Sequence, residues 1–240
     1  MEWFSEWFNE DYEKLYAHRN KDEARLMVDL YESKIERLTH ANVLDMCCGL
    51  GRVSYELAKR SERVHAFDLS PYFIEKCKQH NFYNNLTFEE RDIRDMSFQS
   101  EFDTIFHIFT SFGYFETLEE NLLVFQSVYN ALKENGYYFF DFLNETYVKE
   151  HLVPETITKA DGVTYIQKRR IEADRVIKDI SIKRGETEKV YTESVQLISK
   201  SVFEDTFRKI GFHVVSCYGH YDGTPFDQNQ SNRLIYILRK

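Results

Sequence analysis

The segment Val43-Leu44-Asp45-Met46-Cys47-Cys48-Gly49-Leu50-Gly51-Arg52 constrains this chain more than any other. An apolar run ends in an acid, a loop of small residues with two glycines follows, and a helical pattern starts at once. That order reads as strand, tight turn and helix, the arrangement by which α/β folds receive nucleotide-like ligands. Asp45 sharpens the reading. It stands where a dinucleotide would bring its doubly negative pyrophosphate, and a carboxylate there repels such a ligand. A nucleoside that carries positive charge suits the position better.

The surrounding pattern supplies the sheet for that loop. Strands are expected at 42–47, 63–67, 86–90, 102–109 and 137–142, with helices at 52–60, from Ser70-Pro71 through Lys78, and at 118–133, where Asn135-Gly136 is the stop signal. The run at 102–109 is almost continuously apolar, which suits a strand buried on both faces. Ser70 is a helix N-cap with Pro71 in the first turn. Such alternation argues a doubly wound, mostly parallel sheet.

Both flanks differ in texture. Residues 1–40 mix aromatic and charged residues without Gly or Pro and are read as a leader of two helices with a break near Asn20. After Pro154 long strands are expected at 163–172, 176–183 and 190–198, with turns at 173–175 and 185–186, as an antiparallel β insertion over the acceptor side. Tyr165 and Tyr191 are expected to line the pocket beneath it. Ser201 with Glu204 reads as a capping box for a helix through Lys209, ended by Gly211, and strands at 212–218 and 234–238 close the chain. The domain plan is a leader at 1–40, a core at 41–153 and 199–240, and the insertion at 154–198.

Composition narrows the function. At 240 residues the chain is long enough for one sizeable core, and 42% hydrophobic against 30% charged residues is globular. A formal net charge of -9 argues against a general nucleic-acid binder. The longest apolar runs fall short of the roughly 18 residues that cross a membrane. Cys47, Cys48, Cys77 and Cys217 form no C-x-x-C pair, so neither a structural metal nor a dithiol redox motif is indicated, and reduced thiols in a cytoplasmic protein are expected.

The first three strands each end near an acid: Asp45, Asp68 and Asp92. In an open α/β sheet those ends face the ligand crevice. Asp68 is placed to accept both ribose hydroxyls, Asp92 to accept from an adenine amine with Ile93 packed on the ring, and Asp45 to face the charged end. The Gly49–Gly51 turn offers backbone N–H groups.

On these residues the chain resembles the class I S-adenosylmethionine-dependent methyltransferases, over about 40–145. The family's Asp-x-Gly-x-Gly-x-Gly stands here as Asp45-Met46-Cys47-Cys48-Gly49-Leu50-Gly51, with Cys47 in place of the first glycine. The resemblance implies a Rossmann-like seven-stranded sheet and S-adenosylmethionine as cofactor. It assigns Asp45, Cys47, Gly49 and Gly51 to the methionine loop, Asp68 with Leu69 to the ribose, and Asp92 with Ile93 to adenine. It places the transfer site at the segment from Phe109 to Tyr114, in which Phe109 is expected to contact the cofactor and Tyr114 to position the acceptor. The leader resembles that of small-molecule members of the family, which implies Tyr16 and Arg19 near the cofactor carboxylate.

Methyl transfer from a sulfonium is an in-line displacement driven largely by positioning and exclusion of water. Thr110-Ser111-Phe112-Gly113 departs from the motif that marks amide or adenine acceptors. A small-molecule acceptor, nitrogen or oxygen, is therefore expected, on a monomer or homodimer with no nucleic-acid or membrane partner. Two rival readings stand beside it. An NAD-dependent oxidoreductase would use Gly49-x-Gly51-x-x-Ser54 with Asp68, but Asp45 disfavours it. A non-catalytic binding module would keep the fold and bind through the insertion. His107, inside a buried strand pattern, reads as a core histidine, Asp141 and Asn144 as loop caps near the site, and Lys168-Arg169-Arg170 as a solvated face.

Overall fold

The computed structural model describes residues 2–17, 21–35 and 38–240. The leader opens with two short helices, α1 (Trp3–Trp7) and α2 (Glu10–Leu15), followed by α3 (Lys21–Lys34). The expected two helices are thus three. Asn9 breaks the first stretch: its backbone is extended, and its side chain accepts from the Asp11 N–H at 2.7 Å, capping α2. The break expected near Asn20 lies outside the described residues.

The core then alternates as expected: β1 (Asn42–Met46), α4 (Arg52–Ala58), β2 (Arg63–Asp68), α5 (Pro71–Gln79), β3 (Leu86–Glu90), β4 (Phe102–His107), α6 (Leu118–Ala131) and β5 (Leu132–Leu143). Ser70 caps α5 by accepting from the Phe73 N–H at 3.2 Å. β4 is shorter than its apolar run because Phe109 and Thr110 take left-handed backbone angles, φ 61° and 63°. α6 also stops early, at Ala131, since Leu132 already pairs with Phe102 as the start of β5.

A helix unforeseen in the sequence, α7 (Glu145–His151), leads to four strands where three were expected: β6 (Glu155–Ala160), β7 (Val163–Glu172), β8 (Arg175–Arg184) and β9 (Thr187–Gln196). β6 is exposed along its whole length, so no alternating pattern marks it. These strands form one antiparallel sheet in sequential order. Gly162, Ala173 and Gly185 stand in its three turns at φ 74°, 51° and 57°.

α8 (Lys200–Ile210) is capped by Ser199, which accepts from the Val202 N–H at 3.4 Å, and not by Ser201 as the sequence suggested. Glu204 instead takes Lys200 at 2.5 Å, one turn back on the same helix. Gly211 ends α8 in a left-handed conformation, and β10 (His213–Tyr218) and β11 (Arg233–Arg239) complete the chain.

The main sheet has seven strands in the order β10-β11-β5-β4-β1-β2-β3. β3, β2, β1, β4 and β5 run parallel, and β11 pairs antiparallel with both β5 and β10, so it alone runs against the other strands. Both faces are covered. Met27, Val28, Leu57 and Ile74 from α3, α4 and α5 pack on Val43, Val64 and Ile237. Phe125, Phe203 and Phe207 from α6 and α8 pack on Tyr138, Phe140 and Tyr236. A third apolar cluster joins the leader to the smaller sheet through Trp7, Leu15, Tyr165, Ile180 and Ile182. The order reverses between β1 and β4, and ligands of open α/β sheets bind beyond the strand ends at that point.

Candidate active site

A cavity of about 370 Å³ lies over the carboxyl ends of β1, β2 and β4, within the size range of small-molecule sites. Of the residues singled out in the sequence, Asp45, Cys47, Gly49, Asp68, Leu69, Asp92, Ile93, Phe109, Tyr114 and Tyr16 all line it. Gly51 does not. It sits behind the loop at the head of α4, at φ 72°, where a Cβ would come within 3.0 Å of the Phe88 ring and 3.2 Å of Cys77 Sγ. Its role is close packing of the loop on the sheet. Arg19 lies outside the described residues.

The three acids occupy different electrostatic settings. Asp45 is 1% exposed and accepts from Ser54 Oγ at 2.5 Å, and among the described residues no Lys or Arg forms an ion pair with it. Burial pushes its carboxyl up to about 7, against the Ser54 hydrogen bond and with the Asp68 charge adding to the effect. Asp68 is also buried, and its carboxylate accepts from the N–H of Gly49 at 2.8 Å and of Ser70 at 2.9 Å. Burial raises its pKa although those N–H groups oppose the shift. Asp68 therefore fastens the glycine loop to the end of β2. Asp92 caps a single 3₁₀ turn (Ile93–Asp95) and ion-pairs with Arg94 at 2.6 Å. Burial works against its ionisation, but Arg94 more than offsets this and holds the carboxyl below its ordinary range.

Cys47 takes φ 54°, a conformation that the glycine of the usual motif would adopt without strain. Burial holds its thiol well above the ordinary range, so it is a neutral wall of the cavity rather than a nucleophile. His107 is a core residue, as expected: its ring nitrogens bond Tyr138 OH at 2.9 Å and the Ser111 carbonyl at 2.8 Å, and burial lowers its pKa to about 4. Asp141 accepts from Phe109 N–H, Tyr221 OH and Arg233 Nε at 2.8, 2.9 and 2.8 Å, and Arg233 also donates to Thr110 Oγ1 at 2.8 Å. This buried network holds the left-handed Phe109-Thr110 turn behind the cavity. Asn144 caps α7 and donates to the carbonyls of Gln228 and Ser231, each at 2.7 Å.

The roof of the cavity departs from the sequence reading. Tyr165 and Tyr191 do not line it. Tyr165 is buried against Trp7 and Ile180, and Tyr191 donates to Asp11 at 2.9 Å. The inner roof is the leader itself, which contributes Phe4, Phe8, Tyr12, Glu13 and Ala17 besides Tyr16, with the smaller sheet behind it. Phe112 and Phe115 also line the cavity, as do Arg52 and Arg91. Arg52 follows the loop directly, lies over the Phe109 ring at 4.6 Å and pairs with Glu23 at 3.5 Å. Its place after Gly51 was a usable signal. The alternation of aromatic and charged residues in the leader gave none.

Comparison with known proteins agrees with this fold. Residues 43–136 match the family model described as a methyltransferase domain. YqeM of Bacillus subtilis, a methyltransferase by assignment only, is 26% identical over 82% of this chain and 83% of its own. Residues 43–136 are thus matched as a methyltransferase domain, and the fold is that of S-adenosylmethionine-dependent methyltransferases. Cypemycin N-terminal methyltransferase from a Streptomyces species is 22% identical over 82% of this chain and 83% of its own length. Among solved structures, an S-adenosylmethionine-dependent methyltransferase from Clostridium acetobutylicum has a TM-score of 0.81 at 19% identity, covering 95% of this chain and 94% of that one. CalS10, an amino pentose methyltransferase from Micromonospora echinaspora solved with S-adenosylmethionine bound, has a TM-score of 0.72 at 15% identity, covering 96% of each chain. Among the described residues no helix is long and apolar enough to cross a membrane.

Proposed function

We propose that this protein moves a methyl group from S-adenosylmethionine to nitrogen or oxygen of a small-molecule acceptor held beneath the leader. The observation that carries the reading is the convergence of Asp45, Asp68 and Asp92 on one cavity whose remaining wall is aromatic. The acids fit the cofactor: a buried carboxyl raised to about 7 without a cationic partner among the described residues suits a neighbouring ligand cation. When bound, S-adenosylmethionine supplies an electrophilic methyl group on a sulfonium.

The residues then divide the work. Asp68 accepts from the ribose hydroxyls with the lone pairs that Gly49 and Ser70 leave free. Asp92 and Ile93 receive the adenine edge and face. Asp45 and the turn from Cys47 to Gly49 face the methionine end, where Arg52 and Tyr16, which both line the cavity, are the candidates for its carboxylate. Phe4, Phe8, Tyr12 and Tyr114 exclude water and offer ring faces to the acceptor, a surface suited to a planar body or to an amine. His107 supplies no base, since both its nitrogens are engaged in the core. The sugar N-methyltransferase KedS8 from a Streptoalloteichus species, with a TM-score of 0.71 at 14% identity, shares the fold, and CalS10 acts on an amino pentose, so amino sugars belong in the first acceptor panel.

The test is transfer of labelled methyl groups from S-adenosylmethionine, read as S-adenosylhomocysteine release, against amines, phenols, amino sugars and size-fractionated extracts. Release dependent on the low-molecular-weight fraction is expected. Release confined to the macromolecular fraction would overturn the small-molecule reading.

A further inference from the structure

Arg175 is a partly buried cation whose guanidinium is held by backbone carbonyls and a serine hydroxyl. It opens β8, and its guanidinium donates to the carbonyls of Gly113, Tyr114 and Phe115 at 3.1, 3.4 and 3.0 Å, and to Ser194 through Nε at 2.8 Å. Burial lowers its pKa, against the nearby charges of Asp174 and Glu116. The contact is reinforced from β9, where Gln196 N–H donates to the Gly113 carbonyl at 2.8 Å, and Gln196 Oε1 accepts from Asn121 at 3.0 Å. Gly113 is at φ 83°, and a Cβ on it would meet the Gln196 carbonyl at 3.2 Å, so only glycine permits this approach without strain.

The opposite end of the same strand grips the leader. Arg184, the last residue of β8, donates to Asp11 at 2.5 Å, and Trp7 Nε1 donates to Glu193 on β9 at 2.7 Å. Asp11 is 6% exposed, and Tyr191 also donates to it. One strand therefore holds the Gly113–Phe115 loop at its start and the leader at its end. The loop and the leader meet at the cavity, where Tyr114 lies against Trp3, Phe4 and Phe8 at ring-centroid separations of 4.7, 6.0 and 6.1 Å.

We propose that Arg175 is a positioning residue for the acceptor wall: it fixes Tyr114 against the leader, so that a single sheet sets the spacing of the two aromatic sides. The proposal rests on the methyl-transfer reading for its purpose, but its geometry can be tested separately. The two tryptophans of the chain report on its two sides: Trp3 lies against Tyr114, and Trp7 is held by Glu193 and Tyr191 on β9. Protein labelled with 5-fluorotryptophan gives one ¹⁹F signal for each, and Trp3→Phe assigns them.

Arg175→Met is expected to shift and broaden the Trp3 signal, through loss of the adjacent Tyr114 ring, and to leave the Trp7 signal in place. S-adenosylhomocysteine affinity by calorimetry should stay within about threefold, or about 0.7 kcal/mol. Arg170→Met, an exposed cation on the neighbouring strand, should move neither signal. A Trp3 signal unchanged in Arg175→Met, both signals moving together, the same shift in Arg170→Met, or affinity falling in parallel would each overturn the proposal. Failure of the parent protein to bind S-adenosylhomocysteine would refute the cofactor reading instead, with the Trp3 signal still deciding the role of Arg175.

Discussion

Asp45 gives cofactor binding a pH signature that can be worked out from the structure. Its carboxyl is 1% exposed and raised by burial to about 7. In the protein alone the raised value favours the neutral acid. Its contribution to stability is full below the ordinary carboxyl range and is lost as pH rises through about 7. A cationic ligand reverses the preference, because the ligand binds the ionised form better. With a pKa of about 7, roughly a tenth of the molecules are ionised at pH 6 and a hundredth at pH 5. S-adenosylmethionine affinity should therefore weaken by close to tenfold per unit below neutrality, about 1.4 kcal/mol. The ligand keeps its own charges across that window.

The assay is isothermal titration from about pH 5.5 to 7.5 on the parent and on Asp45→Asn, with heats corrected for buffer ionisation. Asp45→Asn should bind about tenfold more weakly at the upper end and show a much flatter profile, the residual slope belonging to Asp68, which burial also raises. A flat profile in the parent, or an equal slope in the variant, would refute the reasoning.

Three further outcomes follow from named contacts. Asp68→Ala leaves the Gly49 and Ser70 N–H groups without their acceptor and removes the ribose contact, so S-adenosylhomocysteine affinity should fall by about 2–4 kcal/mol with some loss of Tm. Calorimetry and thermal unfolding check this, and unchanged affinity would contradict it. Gly51→Ala forces a Cβ into Phe88 and Cys77 at φ 72° and should destabilise by about 1–3 kcal/mol in urea unfolding. Arg233→Met leaves Asp141 buried without its cation and should cost about 3–5 kcal/mol. The double variant with Asp141→Asn should recover part of that loss, which unfolding curves of the three proteins would show.

The elements read well from the sequence where the signal is local. The acid-ended strands, the glycine loop, Ser70-Pro71 and Gly211 each carry their own chemistry within a few residues, and all four stand where expected. Apart from local caps such as Ser199 and Asn9, what failed depended on distant partners. The α6–β5 boundary is set by pairing of Leu132 with Phe102, against a helical pattern that runs on. β6 is an exposed edge strand without alternation, and the left-handed Phe109-Thr110 turn is imposed by Asp141 and Arg233 from two other strands. The leader forms the roof for the same reason: Trp7 and Asp11 are fixed by Glu193 and Arg184, far along the chain. Arg175 looked like a turn residue, and only the fold brings three loop carbonyls to it.

The most direct test of the central claim is ligand choice by the unmodified protein. Calorimetry with S-adenosylhomocysteine and, separately, with NADH should give saturable one-site binding of the first that Asp68→Ala weakens, and no saturable heat from the second. Saturable binding of NADH with none of S-adenosylhomocysteine would contradict the account.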